Sequence, residues 1–258
     1  MSRAFAAVTS KLPQGWGDLG RQIGLLILVD LAYETVRGIA DGQRAVAFAH
    51  GQQVIDFQQA THTFFEPDVQ GFFLQWNWLV DFANQVYMNS QFAVVIAFFF
   101  WLYMFRNDSF YFVRNMFMVS MGLALIGYVL YPTAPPRLFP EYGFVDTIND
   151  FSNVNHDSAL VKVFINPYAA VPSMHCAFAL MVGLTAARLS RHWYTRTLWA
   201  MWPALVIWVV IVTGNHYWVD AALGALVALL SALTAQQLAR ARPEAWSFRV
   251  PAPREART

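Results

Sequence analysis

Residues 213–238 read TGNHYWVDAALGALVALLSALTAQQL. Up to Asp220 the stretch is polar and aromatic, and beyond it runs almost wholly apolar to Leu233. A helix needs about 20 mostly apolar residues to cross a bilayer core of about 30 Å, because lipid offers no partner to a bare peptide group. Residues 217–238 meet that length, so the polar groups stand at one end of a membrane span. His216 and Asp220 are four apart and project from one helical face, which lets the carboxylate accept a hydrogen bond from one ring nitrogen and fix the tautomer. The other nitrogen is then left as a nucleophile or base. An acid beside Ala221, Ala222 and Leu223 is costly without such a partner.

Working outward, further apolar stretches at 23–39, 86–105, 112–131, 177–189 (with a polar lead-in from Pro172) and 198–212 predict five more spans. The expected fold is therefore all-α: a polytopic membrane protein with a six-transmembrane-helix bundle. Composition agrees, since 57% of the 258 residues are hydrophobic and only 13% charged, a balance that soluble globules rarely show. The first apolar run begins after Arg21 and contains Asp30 and Glu34, so it reads as a retained span and not a cleaved signal. Cys176 is the single cysteine, which forbids an internal disulfide and leaves the redox compartment open.

Arg and Lys are retained on the cytoplasmic side. Six spans put 13 of the 17 Lys and Arg residues on the side of both termini. Arg37, Arg44, Arg137 and Lys162 fall on the other side, so both termini are expected in the cytoplasm and the histidine motifs on the extracytoplasmic face. A net charge of +1 points to no nucleic-acid partner.

Two long outer connections follow. In 38–84, Val54, Phe57, Thr61 and Phe64 recur at helical spacing beside Gln52, Gln53, Asp56 and Gln59, and Phe72, Phe73, Trp76 and Trp78 form an aromatic run. An amphipathic helical segment lying in the membrane interface fits this pattern, and a packed outer cap fits it equally. The second connection, 132–170, holds Pro135, Pro136, Pro140 and Pro167 and reads as structured loop. Residues 1–242 read as one membrane-embedded catalytic domain with its core at 84–238, and 243–258 as a flexible cytoplasmic tail.

Two more segments place polar groups at outer span ends: PTAPPR (132–137) and VPSMH (171–175). Pro172 and Ser173 are common grammar at a helix start. There His175 can protonate a departing oxygen, and the unpaired N–H groups with the planar fork of Arg137 suit a phosphate. Two histidines and a carboxylate are also a facial metal triad, although an arginine and a cationic helix end sit badly beside a dication. A proton-coupled transporter is the rival from another class, since histidines and carboxylates can form a relay, and a silent membrane scaffold is the third reading. Asp30 and Glu34 lie on one face and are expected to turn into the bundle, either as a structural pair with Arg37 or as recognition groups for a headgroup or acceptor hydroxyl. Asn84, Tyr87 and Asn89 are further outer-end candidates, whereas His50, His62, His156 and His192 read as surface residues.

The three segments, in this order and each at a span end, resemble the signature motifs of the type 2 phosphatidic acid phosphatase superfamily over roughly 84–238. The resemblance implies His216 as the nucleophile that forms a phosphohistidine, Asp220 as its orienting carboxylate and His175 as the acid for the leaving group. It also implies Ser173, Arg137 and Asn215 as phosphate contacts, with no metal or organic cofactor. Lipid phosphatases usually carry a Lys before the first-motif Arg, a Pro after it, and a Ser-Arg pair ahead of the nucleophile; here those places hold Leu130, Leu138, Val209 and Val210. The remaining pattern looks like the inositol phosphorylceramide synthase branch, which implies transfer of a phospho-headgroup between lipids, with simple hydrolysis of phosphatidic acid or an isoprenoid phosphate as the alternative. The expected partners are a phospholipid or isoprenoid phosphate substrate and the bilayer; the sequence is silent on oligomeric state.

Overall fold

The computed structural model describes residues 12–39, 44–148 and 168–242, which are helical apart from loops and an isolated parallel bridge between Thr133 and Ala169. In chain order the helices are α1 (Gly15–Ile39), α2 (Arg44–Ala60), α3 (Glu66–Phe73), α4 (Asn77–Asn89), α5 (Val95–Phe105), α6 (Asn107–Leu130), α7 (Met174–Leu189), α8 (Trp193–Val212) and α9 (Trp218–Ala241). Among the described helices, α6, α8 and α9 are each long and apolar enough to cross a membrane, and α4 with α5 makes a fourth crossing if that bent pair is one span. The apolar α7 has 16 residues and falls short of that length. The 25-residue α1 has the length, but Asp18, Arg21, Asp30 and Glu34 dilute its apolar character. Several apolar helices of this kind make the chain an integral membrane protein.

The segment expected as one span at 86–105 begins earlier, at Asn77, and breaks at a π turn, Ser90–Val94, where the two helices bend by 53°. Wide turns of this type are a recognised cause of sharp kinks and cluster at functional sites. The span expected at 198–212 starts at Trp193, and that expected at 112–131 starts at Asn107. Arg114, one of the 13 cations assigned to the side of the termini, lies well inside α6 and is fully buried. The expected tail, 243–258, lies outside the described residues, as do His156, Lys162 and Pro167 and the side chain of Arg37.

Helix α7 sits at the centre, against α8, α9 and α6. Its core neighbours are large: Phe117 and Phe178 meet with ring centroids 4.8 Å apart, and Phe99 meets Phe117 at 4.9 Å. Burial of several such rings, each worth about 1.5–3 kcal/mol, fixes the rotation of α7. Where α9 crosses the start of α7, a Cβ on Gly224 would collide with Ser173 O. Glycine there lets the two helix starts touch, which is what brings their histidines together.

At the end of the bundle that carries the 132–148 loop, α2 packs as a cap over that loop. Ala47, Val54 and Ile55 join Phe139, Phe144 and Tyr217 in one buried cluster. The buried row differs from the expected stripe: Phe57 and Thr61 face outward, and the helix ends at Ala60. Gln58 takes the inward place because its amide reaches buried Glu66. Phe72, Trp76 and Trp78 are exposed.

Candidate active site

The start of α9 builds the first half of the site. Gly214 has φ +65°, a left-handed conformation suited to glycine, and a Cβ there would come 2.9 Å from Gln70 Nε2. This turn folds the chain so that the backbone N–H groups of Asn215 and His216 both donate to Val210 O, at 3.0 and 3.2 Å. Asp220 closes a capping box at the helix start, its Oδ2 accepting from the Tyr217 N–H at 2.9 Å. The same oxygen lies 3.3 Å from His216 Nδ1, which also faces Ala170 O at 3.0 Å. Two acceptors on Nδ1 assign it the proton and leave Nε2 with its lone pair. Burial pushes the His216 imidazole down to about 3, the Ala170 carbonyl opposes that shift, and the Arg137 charge adds to it. His216 is thus neutral at ordinary pH, a state in which an imidazole can serve as nucleophile or base.

The start of α7 supplies the second half. Ser173 N–H donates to Asp220 O at 3.1 Å, and Tyr128 OH donates to Pro172 O at 3.1 Å, tying this loop to α9 and α6. Ser173 Oγ accepts from Cys176 N at 3.3 Å and is fully buried. Expected as a phosphate contact, it stands here as the cap of α7. His175, half-buried, stacks on Tyr87 with ring centroids 4.4 Å apart. Its ring centroid lies 5.7 Å from that of His216. Beside His175 opens an apolar recess whose walls include Val94, Val95, Phe178, Val182 and Trp202.

Arg137 closes the third side. Its backbone N–H donates to Gly214 O at 2.8 Å, and its Nη1 donates to Asn215 Oδ1. Its Nε lies 3.5 Å from Asp146 Oδ2. Asn215 in turn donates to Thr213 Oγ1 at 2.8 Å, so the arginine and its amide partner are locked onto the His216 turn.

Sequence reasoning passed over the element that holds this turn from outside. Glu66, fully buried, accepts from the Trp218 backbone N–H at 2.9 Å and from Gln58 Nε2 at 2.5 Å. One helical turn on, Gln70 donates to Val212 O and Val145 O, each at 3.0 Å, and accepts from Val145 N at 2.9 Å. Helix α3 therefore clamps both sides of the His216 turn. The only signal in the sequence was an acid and an amide at i, i+4 inside the aromatic stretch FFEPDVQGFF.

The remaining expected residues divide. Tyr87 reaches the site, against His175. Asn84 is buried and bonds Thr147, with Nδ2 to Thr147 O at 3.0 Å and Oδ1 accepting from Thr147 Oγ1 at 2.9 Å. Asp30 is exposed and Glu34 half-buried on α1, so the expectation that both turn into the bundle fails for Asp30. The face of α1 that is buried carries Gln22 and Tyr33 instead. His50, read as a surface residue, bonds Pro132 O at 2.8 Å and stacks on Tyr131. Leu130 is 73% exposed, while Val209 and Val210 are fully buried. Among the described residues, no three His, Cys, Asp or Glu side chains are grouped as a metal would need.

The chain is 31% identical over 128 residues to a phosphoinositol dihydroceramide synthase of Bacteroides thetaiotaomicron, a match covering 45% of the chain. It spans about two fifths of that relative's length, 41%. No solved structure matches the chain significantly. The family model of the PAP2 superfamily matches residues 52–234, a range that contains Arg137, His175, His216 and Asp220, and by that match the chain belongs to the PAP2 superfamily.

Proposed function

We propose that this lipid phosphoesterase or phosphotransferase moves a phospho-headgroup from one lipid to another through a phosphohistidine. The observation that carries the reading is the pairing of two histidines from different helices, 5.7 Å apart by ring centroid, one of them held neutral and oriented by Asp220 and Ala170. His216 Nε2 attacks phosphorus and the bond to the leaving lipid oxygen breaks as His175 gives that oxygen a proton. Asp220 stabilises the positive imidazole that forms. His175, now a base, takes the proton of an acceptor hydroxyl, whose oxygen attacks phosphorus and releases His216. Arg137 balances charge on the phosphoryl oxygens. The residues supply both proton transfers and the nucleophile, so the scheme uses no cofactor.

The whole chain to residue 242 acts as one domain in this reading, with six crossings, α1 and α7 included, both termini cytoplasmic and the site on the extracytoplasmic rim. Ile23, Ile27, Leu28 and Leu31 form an exposed apolar row on α1, which supports its lying against lipid. The exposed Phe72, Trp76 and Trp78 support an interfacial position for the outer cap. Similarity to a synthase named for a phosphoinositol dihydroceramide supports transfer over hydrolysis.

Purified protein in lipid micelles, given a headgroup-labelled phosphodiester lipid and a ceramide or diacylglycerol acceptor, tests the scheme. The expected result is labelled acceptor lipid, lost in His216→Ala. Release of water-soluble headgroup phosphate in place of labelled lipid would make it a hydrolase.

A further inference from the structure

The half-buried ring of His175 has an aromatic face laid on it from another helix. Tyr87, near the end of α4, stacks there with ring centroids 4.4 Å apart and planes inclined by 23°. His216 lies 5.7 Å from the same imidazole by centroid, its plane inclined by 56°. Tyr87 is itself well seated. It packs against the buried cluster that includes Cys176 and Ala179 of α7 and Val206 and Val210 of α8. One turn earlier on α4, Asn84 Nδ2 donates to Thr147 O at 3.0 Å, and Asn84 Oδ1 accepts from Thr147 Oγ1 at 2.9 Å. The same hydroxyl lies 3.3 Å from Thr213 O, at the residue that opens the Gly214 turn. Buried groups of α4 and the 132–148 loop thus tie the ring over His175 to the turn that carries His216. This route is separate from the contact of α7 with α9 at Gly224. Three residues beyond Tyr87 the helix breaks at Ser90–Val94, and Val94 and Val95 wall the recess beside His175.

We propose that Tyr87 is a positioning residue for the reaction: its ring face holds the His175 imidazole where its proton reaches the leaving oxygen, and stabilises the charge that imidazole carries while it is the acid. This rests on the reading of the site as a phosphotransferase acting through His216. A general acid delivers its proton only over hydrogen-bond distance, and a misplacement of about 1 Å costs about a hundredfold in rate. A parallel ring at 4.4 Å opposes tilting of the imidazole out of its plane. A cation within about 6 Å of an aromatic centroid is also attracted by the face of the ring. An aliphatic side chain at position 87 would fill the space and supply neither effect. In the first step His216 Nε2 bonds phosphorus, the bond from phosphorus to the leaving oxygen breaks, and the proton of His175 passes to that oxygen. A leaving group that is stable as an anion has no need of that proton, so its departure should be indifferent to Tyr87.

The test follows labelling of His216 within one turnover from two donors that share a radiolabelled phospho-headgroup. One is whichever of phosphatidylglycerol, phosphatidylethanolamine and phosphatidylinositol labels the wild-type protein fastest, and its lipid departs as an alkoxide. The other is the p-nitrophenyl ester of the same headgroup phosphate, whose phenolate departs without a proton. Tyr87→Leu should slow labelling from the lipid about tenfold, the scale of a cation–π contact, and labelling from the nitrophenyl ester by less than about twofold. His175→Ala should show the same selectivity with a larger loss on the lipid, at least about a hundredfold. Tyr87→Phe, which keeps the face, should stay within about threefold of wild type on the lipid. Added to His175→Ala, Tyr87→Leu should cost nothing more, since both act through one group. Where Tyr87→Leu does not fold, Tyr87→Met, equally non-aromatic and more adaptable, takes its place. Equal loss on both donors in a folded variant, a further loss in the double variant, or Tyr87→Phe as slow as Tyr87→Leu overturns the role of Tyr87. If wild-type His216 takes label from neither donor, the reading of the site itself fails.

Discussion

Two ends of the bundle each bury an arginine near an acid, and they use it differently. At the end where α1, α5 and α6 meet, Arg114 is fully buried and donates to Gln22 Oε1 and Asn115 Oδ1, with Tyr111 under its guanidinium at 5.5 Å. Asp18 there accepts from Tyr103, Tyr111 and Gln22 at 2.9–3.0 Å. Those groups satisfy one another, so the cluster locks α1 onto the bundle. At the other end, Arg137 keeps part of its surface exposed, His175 is half-buried, and the arrangement on His216 Nδ1 leaves Nε2 turned to chemistry. Polar groups that close on each other stabilise a fold; polar groups held by others and left with a valence unused do work on a ligand.

The largest test of that contrast is His216→Ala, expected to lower turnover by at least about a thousandfold, as loss of a nucleophile does, far beyond what its cost to the thermal midpoint in detergent explains. Arg114→Ala should do the reverse. It strands the buried carbonyls of Gln22 and Asn115 and should cost about 3 kcal/mol or more of stability, while activity per folded molecule persists. Loss of activity in Arg114→Ala at full folding would erase the distinction between the two ends.

Glu66→Ala probes the clamp between those extremes. Removing the acceptor from Trp218 N–H and Gln58 should cost about 2 kcal/mol and lower kcat about tenfold with KM nearly unchanged, because the His216 turn loosens without losing a phosphate contact. Glu66→Gln keeps a carbonyl oxygen for Trp218 and should restore most of the rate. A rise in KM with kcat intact would instead place Glu66 against substrate.

How much of this was legible beforehand follows from how local each signal is. The pairing of His216 with Asp220 was readable because the two are four apart, although His216 stands just before the N-cap Tyr217 and not on the helix face itself, and the three motifs were readable because each is a short string. The Glu66 contact was not, since its partner is the backbone of Trp218, 152 residues away, and a backbone donor leaves no mark in sequence. The rotation of α2 was missed for a similar reason: the buried row follows Gln58, whose inward place depends on Glu66. The break at Ser90 was hidden because a π turn preserves apolar composition while shifting the phase of the face.

The smallest expected effect on turnover is in the pH dependence. With the His216 imidazole pushed down to about 3 by burial, the nucleophile stays unprotonated well below the ordinary histidine range, so the acid limb of kcat/KM should not break near 6.5 on its account. Stability follows the same group. The unfolded chain takes up the proton first, so stability is full above about pH 6.5 and declines as pH falls toward 3. His216→Gln should flatten that decline in thermal midpoints taken between pH 7 and 4.

The central claim is tested most directly by trapping the intermediate. Protein mixed with a lipid whose phosphorus is radiolabelled, then quenched in alkali within one turnover and digested, should give one labelled peptide containing His216. Its label should be stable in base and lost in acid, as a phosphoramidate bond requires. Turnover without any covalent label, or label carried by His175 in place of His216, would contradict the account.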